Sequence, residues 1–157
     1  MNKLNFLGIG PKIAVVLLPW LGVCILLSCL NINSFKYSLE TSKILHTAGF
    51  VLMVVALIFY FSTARMLLKG LKETKLMTKG PYRVCQNPLY ASLILGLIPA
   101  LSLIMNSWLV LTSSVIGYIL FKIFIKSEYA ELEKFFGEDY LKYKKETPEF
   151  FPLKIKK

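Results

Sequence analysis

Residues 88–125 read PLYASLILGLIPALSLIMNSWLVLTSSVIGYILFKIFI, and only Asn106 and Ser107 part the apolar run near its middle. A helix rises about 1.5 Å per residue, so about 20 apolar residues cross the hydrocarbon core of a bilayer. The stretch therefore predicts two spans, 88–105 and 108–125, and a two-residue join makes them a helical hairpin. Lys122 falls near the end of the second arm, where its long stem lets the ammonium reach the headgroups. Ser92, Gly96 and Ala100 recur every four residues in one arm, and Ser113 and Gly117 in the other. Such strips of small side chains let helix backbones close on one another in lipid.

Two further runs of spanning length lie upstream. One covers 13–30, with Pro19 tolerated inside it; the other covers 44–68, with Arg65 close enough to its end to snorkel. With 157 residues, 55% of them hydrophobic, the chain reads as one domain, an all-α membrane protein of about four transmembrane helices. Lys69, Lys72, Lys75, Lys79 and Arg83 crowd the connection between the second and third spans, and the tail after Lys126 is lysine-rich too. The first loop holds only Lys36 and Lys43. The positive-inside rule then places both termini and the 69–87 connection in the cytoplasm. Short soluble portions and the lack of an Asn-x-Ser/Thr acceptor fit a bacterial inner membrane.

The net charge of +10 is carried beside apolar runs rather than on a separate basic domain, so anionic membrane lipids, not nucleic acid, are the partner it implies. Cys24 and Cys29 lie in a span and Cys85 in the connection, with no disulfide framework and no metal-ligand spacing. His46, the only histidine, stands at the far start of the second span and offers no base to Ser92 or Ser113. No charge falls at the middle of any span, which argues against a transporter.

Two polar segments share the cytoplasmic face. Residues 78–90 read TKGPYRVCQNPLY. Gly80 and Pro81 predict a turn that folds Tyr82 and Arg83 back toward the third span, and Asn87 before Pro88 predicts a capped helix start. A helix start attracts carboxylate or phosphate, and Arg83 can add a charge-assisted bond to the same anion. The competing reading is an interfacial loop with Tyr82 and Tyr90 in the aromatic belt. Residues 128–152 read EYAELEKFFGEDYLKYKKETPEFFP. Leu132, Phe136, Tyr140 and Tyr143 share one helical face, which predicts a C-terminal cytoplasmic amphipathic helix lying across the interface and roofing a pocket. Glu128 stands at the mouth, placed to receive an ammonium or another cation. Glu131, Glu133, Glu138 and Asp139 read as solvated charges.

Gly80, Pro81, Tyr82, Arg83, Asn87, Pro88 and Tyr90, followed after the hairpin by Glu128, Leu132, Phe136, Gly137, Tyr140, Tyr143 and Pro152, resemble the motifs of a known group. These are the isoprenylcysteine carboxyl methyltransferases and phospholipid methyltransferases, integral membrane enzymes, and the likeness covers roughly residues 45–152. The resemblance implies methyl transfer from S-adenosylmethionine, bound at the cytoplasmic face, to a lipophilic small molecule or lipid bearing a carboxylate, amine or thiol. Carried over, it assigns the donor to Gly80, Pro81, Tyr82, Arg83, Asn87, Pro88, Tyr90 and Glu128, and catalysis to Arg83, Gln86 and Glu128, with no metal. The donor's carboxylate suits the start of the third span and Arg83, its ammonium suits Glu128, and the aromatics suit the adenine and the sulfonium. Gln86 stands where the pattern has arginine, Tyr129 where it has a second glutamate, and Ser92 where it has glycine. These departures keep open a second reading, a non-catalytic membrane scaffold or binding protein with the same fold.

Overall fold

The computed structural model describes residues 8–30, 33–37 and 42–150. Its helices are α1 (Gly10–Cys29), α2 (Ser42–Glu73), the single turn α3 (Pro81–Val84), α4 (Pro88–Ile104) and α5 (Trp108–Glu146). Three of them, α1, α2 and α5, are long and apolar enough to cross a membrane. The third expected span, α4, is shorter and is interrupted by a π turn over Ser92–Leu97. Pro99 explains the interruption: it has no N–H for the carbonyl of Leu95, so the hydrogen-bond ladder widens just before it.

The four long elements lie in the spatial order α2, α4, α5, α1, each packed chiefly on its neighbours in that row. The small-residue strips make the contacts their spacing predicts. A side chain at Gly96 would meet the Ala56 methyl at 2.7 Å, and one at Gly117 would press on Ile94 and Leu17 at 3.3 Å. The outer face of α2 carries Phe50, Val51, Val54, Ile58 and Phe61, all exposed, with Ile58 67% accessible. An apolar face of that extent is untenable in water and ordinary against lipid.

At the Asn106–Ser107 end of the bundle, Asn106 takes a left-handed conformation (φ 50°) to turn the hairpin. Ser102 Oγ donates to the Ser107 carbonyl at 2.8 Å, and Ser28 and Ser107 share a hydroxyl pair at 2.7 Å, tying α1 to that turn. The opposite end departs from expectation. The amphipathic segment begins no new helix at residue 128: α5 runs on past Ile125 to Phe136 and breaks at Gly137 (φ 54°, ψ −129°). The chain then turns back, so that Gln86 N–H reaches the Pro148 carbonyl at 2.9 Å. Pro152, the last residue of the tail motif, lies outside the described residues.

Candidate active site

The 78–90 segment is shaped by a glycine that nothing else replaces. Gly80 sits at φ 59°, ψ −130°, and a Cβ there would lie 2.6 Å from Met66 Sδ. Pro81 opens α3, and the turn is fixed from the opposite side by Tyr143, whose hydroxyl donates to the Tyr82 carbonyl at 2.6 Å. Gln86 is fixed by the same returning chain: its Nε2 donates to the Thr147 carbonyl at 2.6 Å and the Lys144 carbonyl at 3.2 Å.

Between the end of α2, this turn, the start of α4 and the lower half of α5 lies a cavity of about 540 Å³, a size usual for small-molecule sites. Glu128 lies in its wall. Its Oε2 accepts from Ile9 N–H at 3.1 Å and from the Tyr90 hydroxyl at 3.2 Å. The residues just before α1 thus close over the carboxylate, and a Cβ at Gly8 would sit 2.6 Å from that same oxygen. Glu128 follows the apolar run of α5 that ends at Ile125 and lies among the polar residues after it. Burial raises its carboxyl above the usual carboxylate range, against the lowering effect of the two hydrogen bonds. No ion pair to Glu128 forms among the described residues. A half-sheltered carboxylate with no ion pair among the described residues, in a cavity also lined by Tyr90, Tyr129 and Tyr140, can receive a positively charged group. Lys144 Nζ already lies 5.2 Å from the Tyr129 ring and 5.8 Å from the Tyr140 ring.

Asn87 corrects one expectation. It occupies the N-cap position of α4 (φ −123°, ψ 56°), yet its side chain makes no capping bond. Nδ2 donates instead to the Tyr129 hydroxyl at 2.5 Å and to the Glu149 carbonyl at 2.9 Å. Cys85 accepts the Asn87 N–H, but burial dominates and pushes its thiol up to about 11. The thiol therefore stays protonated at neutral pH and is a poor nucleophile. We expect a maleimide to label Cys29, which is exposed, while Cys85 and Cys24 stay unmodified in the folded chain. Mass spectrometry of labelled peptides checks this, and rapid modification of Cys85 would contradict the buried geometry.

Tyr82, Gln86, Asn87, Pro88, Tyr90 and Glu128 all line the cavity. Gly80 and Pro81 shape the turn that carries Tyr82 and are not on the wall. Arg83 is not on it either. It is exposed and opens on a second cavity of about 1060 Å³, which shares Lys75, Phe136 and Tyr143 with the first and also bears Lys142, Asp139 and Glu146. The expected juxtaposition of Arg83 and the start of α4 around a single anion is therefore not what the fold forms. Sequence reasoning missed Gly8, Ile9 and Gly10; the Gly-Ile-Gly-Pro run at 8–11 was their signal, a turn followed by a helix start. It also treated Tyr129 only as a departure and gave Glu149 no role.

Residues 42–139 match a family model, PEMT, described as phospholipid methyltransferase. No curated protein matches the chain.

Proposed function

Because the chain belongs to the phospholipid methyltransferase family, a family of membrane methyltransferases, we propose that it moves a methyl group from S-adenosylmethionine to a lipophilic acceptor at the cytoplasmic face. The observation that carries this reading is Glu128, a carboxylate sheltered in an aromatic-walled cavity with no ion pair among the described residues. The donor set suits that ligand. Glu128 Oε1, the oxygen not held by Ile9 and Tyr90, is the atom for an ammonium. Gln86 Oε1 and the Tyr140 hydroxyl are buried with no hydrogen-bond partner among the described residues, and both residues line the cavity, where a polar nucleoside can satisfy them. Bound there, S-adenosylmethionine would supply an electrophilic methyl group on a sulfonium.

The rest is done by the chain. The faces of Tyr90, Tyr129 and Tyr140 stabilise positive charge, and Leu132, Phe135 and Phe136 exclude water. Holding acceptor, methyl carbon and leaving sulfur in line supplies most of the acceleration such a transfer needs. Arg83, on the outer cavity beside the shared wall, is then available to an acidic acceptor rather than to the donor. The cytoplasmic placement rests on the lysine-rich 69–87 connection, which carries half of the site.

The test is to incubate the detergent-solubilised chain with methyl-labelled S-adenosylmethionine and a total lipid extract, then identify labelled products. A labelled lipid is the expected result. Saturable binding without any labelled product would leave the non-catalytic reading in its place.

A further inference from the structure

The last described residues, 147–150, lie against the site instead of trailing away from it. Phe150 is 3% exposed, its ring 4.7 Å from Phe121 and 5.3 Å from Tyr118. Beside it, Glu149 uses both carboxylate oxygens: Oε2 pairs with Lys122, and Oε1 accepts from the Tyr129 hydroxyl at 3.3 Å. Glu149 is not itself on the cavity wall, whereas Asn87 and Tyr129, which it holds, both are.

These contacts set the direction of two amides. A main-chain carbonyl can only accept, so the Glu149 carbonyl requires the NH₂ of Asn87, and the Lys144 and Thr147 carbonyls require the NH₂ of Gln86. Each amide oxygen is thereby turned away from the returning chain and is the polar atom that each residue has left to offer. Gln86 Oε1 is buried without a hydrogen-bond partner among the described residues. Tyr129 is constrained in the same way, its proton directed at Glu149 and its oxygen accepting from Asn87.

We propose that residues 144–149, keyed by Glu149, fix Gln86 and Asn87 so that these two side chains offer acceptors only and select a ligand by its N–H or O–H groups. Glu149 is a positioning residue that acts through Tyr129 and Asn87. Resting on the donor reading above, the proposal names the groups these two amides recognise: amine and hydroxyl hydrogens of the nucleoside or the ammonium.

The test uses the full chain in detergent, titrated with S-adenosylmethionine and, separately, with S-adenosylhomocysteine. Glu149→Leu removes both carboxylate contacts and is expected to weaken binding about tenfold, raising KM for the donor with little change in kcat. Glu149→Gln keeps an acceptor for Tyr129 and should recover most of that loss. Hydrogen exchange over 84–92 should rise in Glu149→Leu and return toward wild type in Glu149→Gln. Unchanged affinity in Glu149→Leu overturns the proposal. So does a Glu149→Gln loss as deep as that of Glu149→Leu, which would put the effect on the Lys122 pair alone. If the wild-type chain binds neither compound, the donor reading fails, and the exchange result then decides by itself whether Glu149 positions this wall.

Discussion

Glu128→Gln is expected to abolish useful donor affinity while leaving the chain as stable as before or more so. Removing one partner of a buried charge-assisted pair typically weakens binding by about a hundredfold or more. The replacement is nearly isosteric, and its amide oxygen can still accept from Ile9 and Tyr90, so the contacts at Oε2 survive. What disappears is the charge, and that charge is a burden on the empty fold because burial raises the carboxyl above its ordinary value of 4.5. For a carboxyl whose folded-state value is raised, its contribution to stability is fully present below the unfolded value and is lost as pH rises through the folded one. The Glu128 contribution to wild-type melting temperature should therefore fall as pH climbs above about 4.5, and Glu128→Gln should remove that component. Titration calorimetry and thermal scans between acid and neutral pH measure both effects. Normal donor affinity in Glu128→Gln would remove the foundation of the functional reading.

Gly137→Val has the second large effect, for a reason that lies in the backbone. No heavy atom lies within 4 Å of a Cβ built at Gly137, so crowding is not the obstacle. The obstacle is φ 54° with ψ −129°, a conformation costing residues other than glycine about 1–3 kcal/mol. The cheapest relief is for α5 to continue straight. Tyr140, Tyr143 and residues 147–150 would then leave the site, and with them the bonds to the Tyr82 and Gln86 main chain. We expect donor affinity to fall at least about tenfold, by loss of those positioning bonds, while circular dichroism keeps or gains helix. Gly137→Ala should show the same direction with a smaller amplitude. Wild-type affinity in Gly137→Val would mean that the returning chain does not contribute to the site.

The spans were legible because lipid imposes a simple rule of length and apolarity, which the runs at 13–30, 44–68 and 108–125 satisfy. The hairpin was legible because Asn106 and Ser107 leave no room for another connection. Of the residues that line the cavity, Glu128, Tyr82, Tyr90 and Asn87 could be picked out by residue type and local order. What could not be read was how they are held. The bond from Ile9 to Glu128 spans 119 positions and that from Asn87 to Glu149 spans 62, distances over which no periodicity carries information. Asn87 shows the consequence: the Asn-Pro pair is a sound cap signal, yet two distant acceptors hold its NH₂ and its oxygen accepts from none of the local N–H groups it was expected to cap. The break at Gly137 was hidden by a polar face that continues on both sides of it. Several of these determinants, Ile9 and Glu149 among them, also lie outside the 42–139 stretch that carries the family match.

The return of the chain after Gly137 also separates two kinds of determinant along the sequence. The apolar runs of α1, α2, α4 and α5 all precede residue 138, whereas residues 138–150 supply the carbonyls that hold the Gln86 and Asn87 amides. A chain truncated before residue 138 is expected to keep every lipid-seeking run and to lose the bonds that fix this wall of the cavity. Affinity for a bilayer and completion of the cavity thus reside in different stretches of the protein.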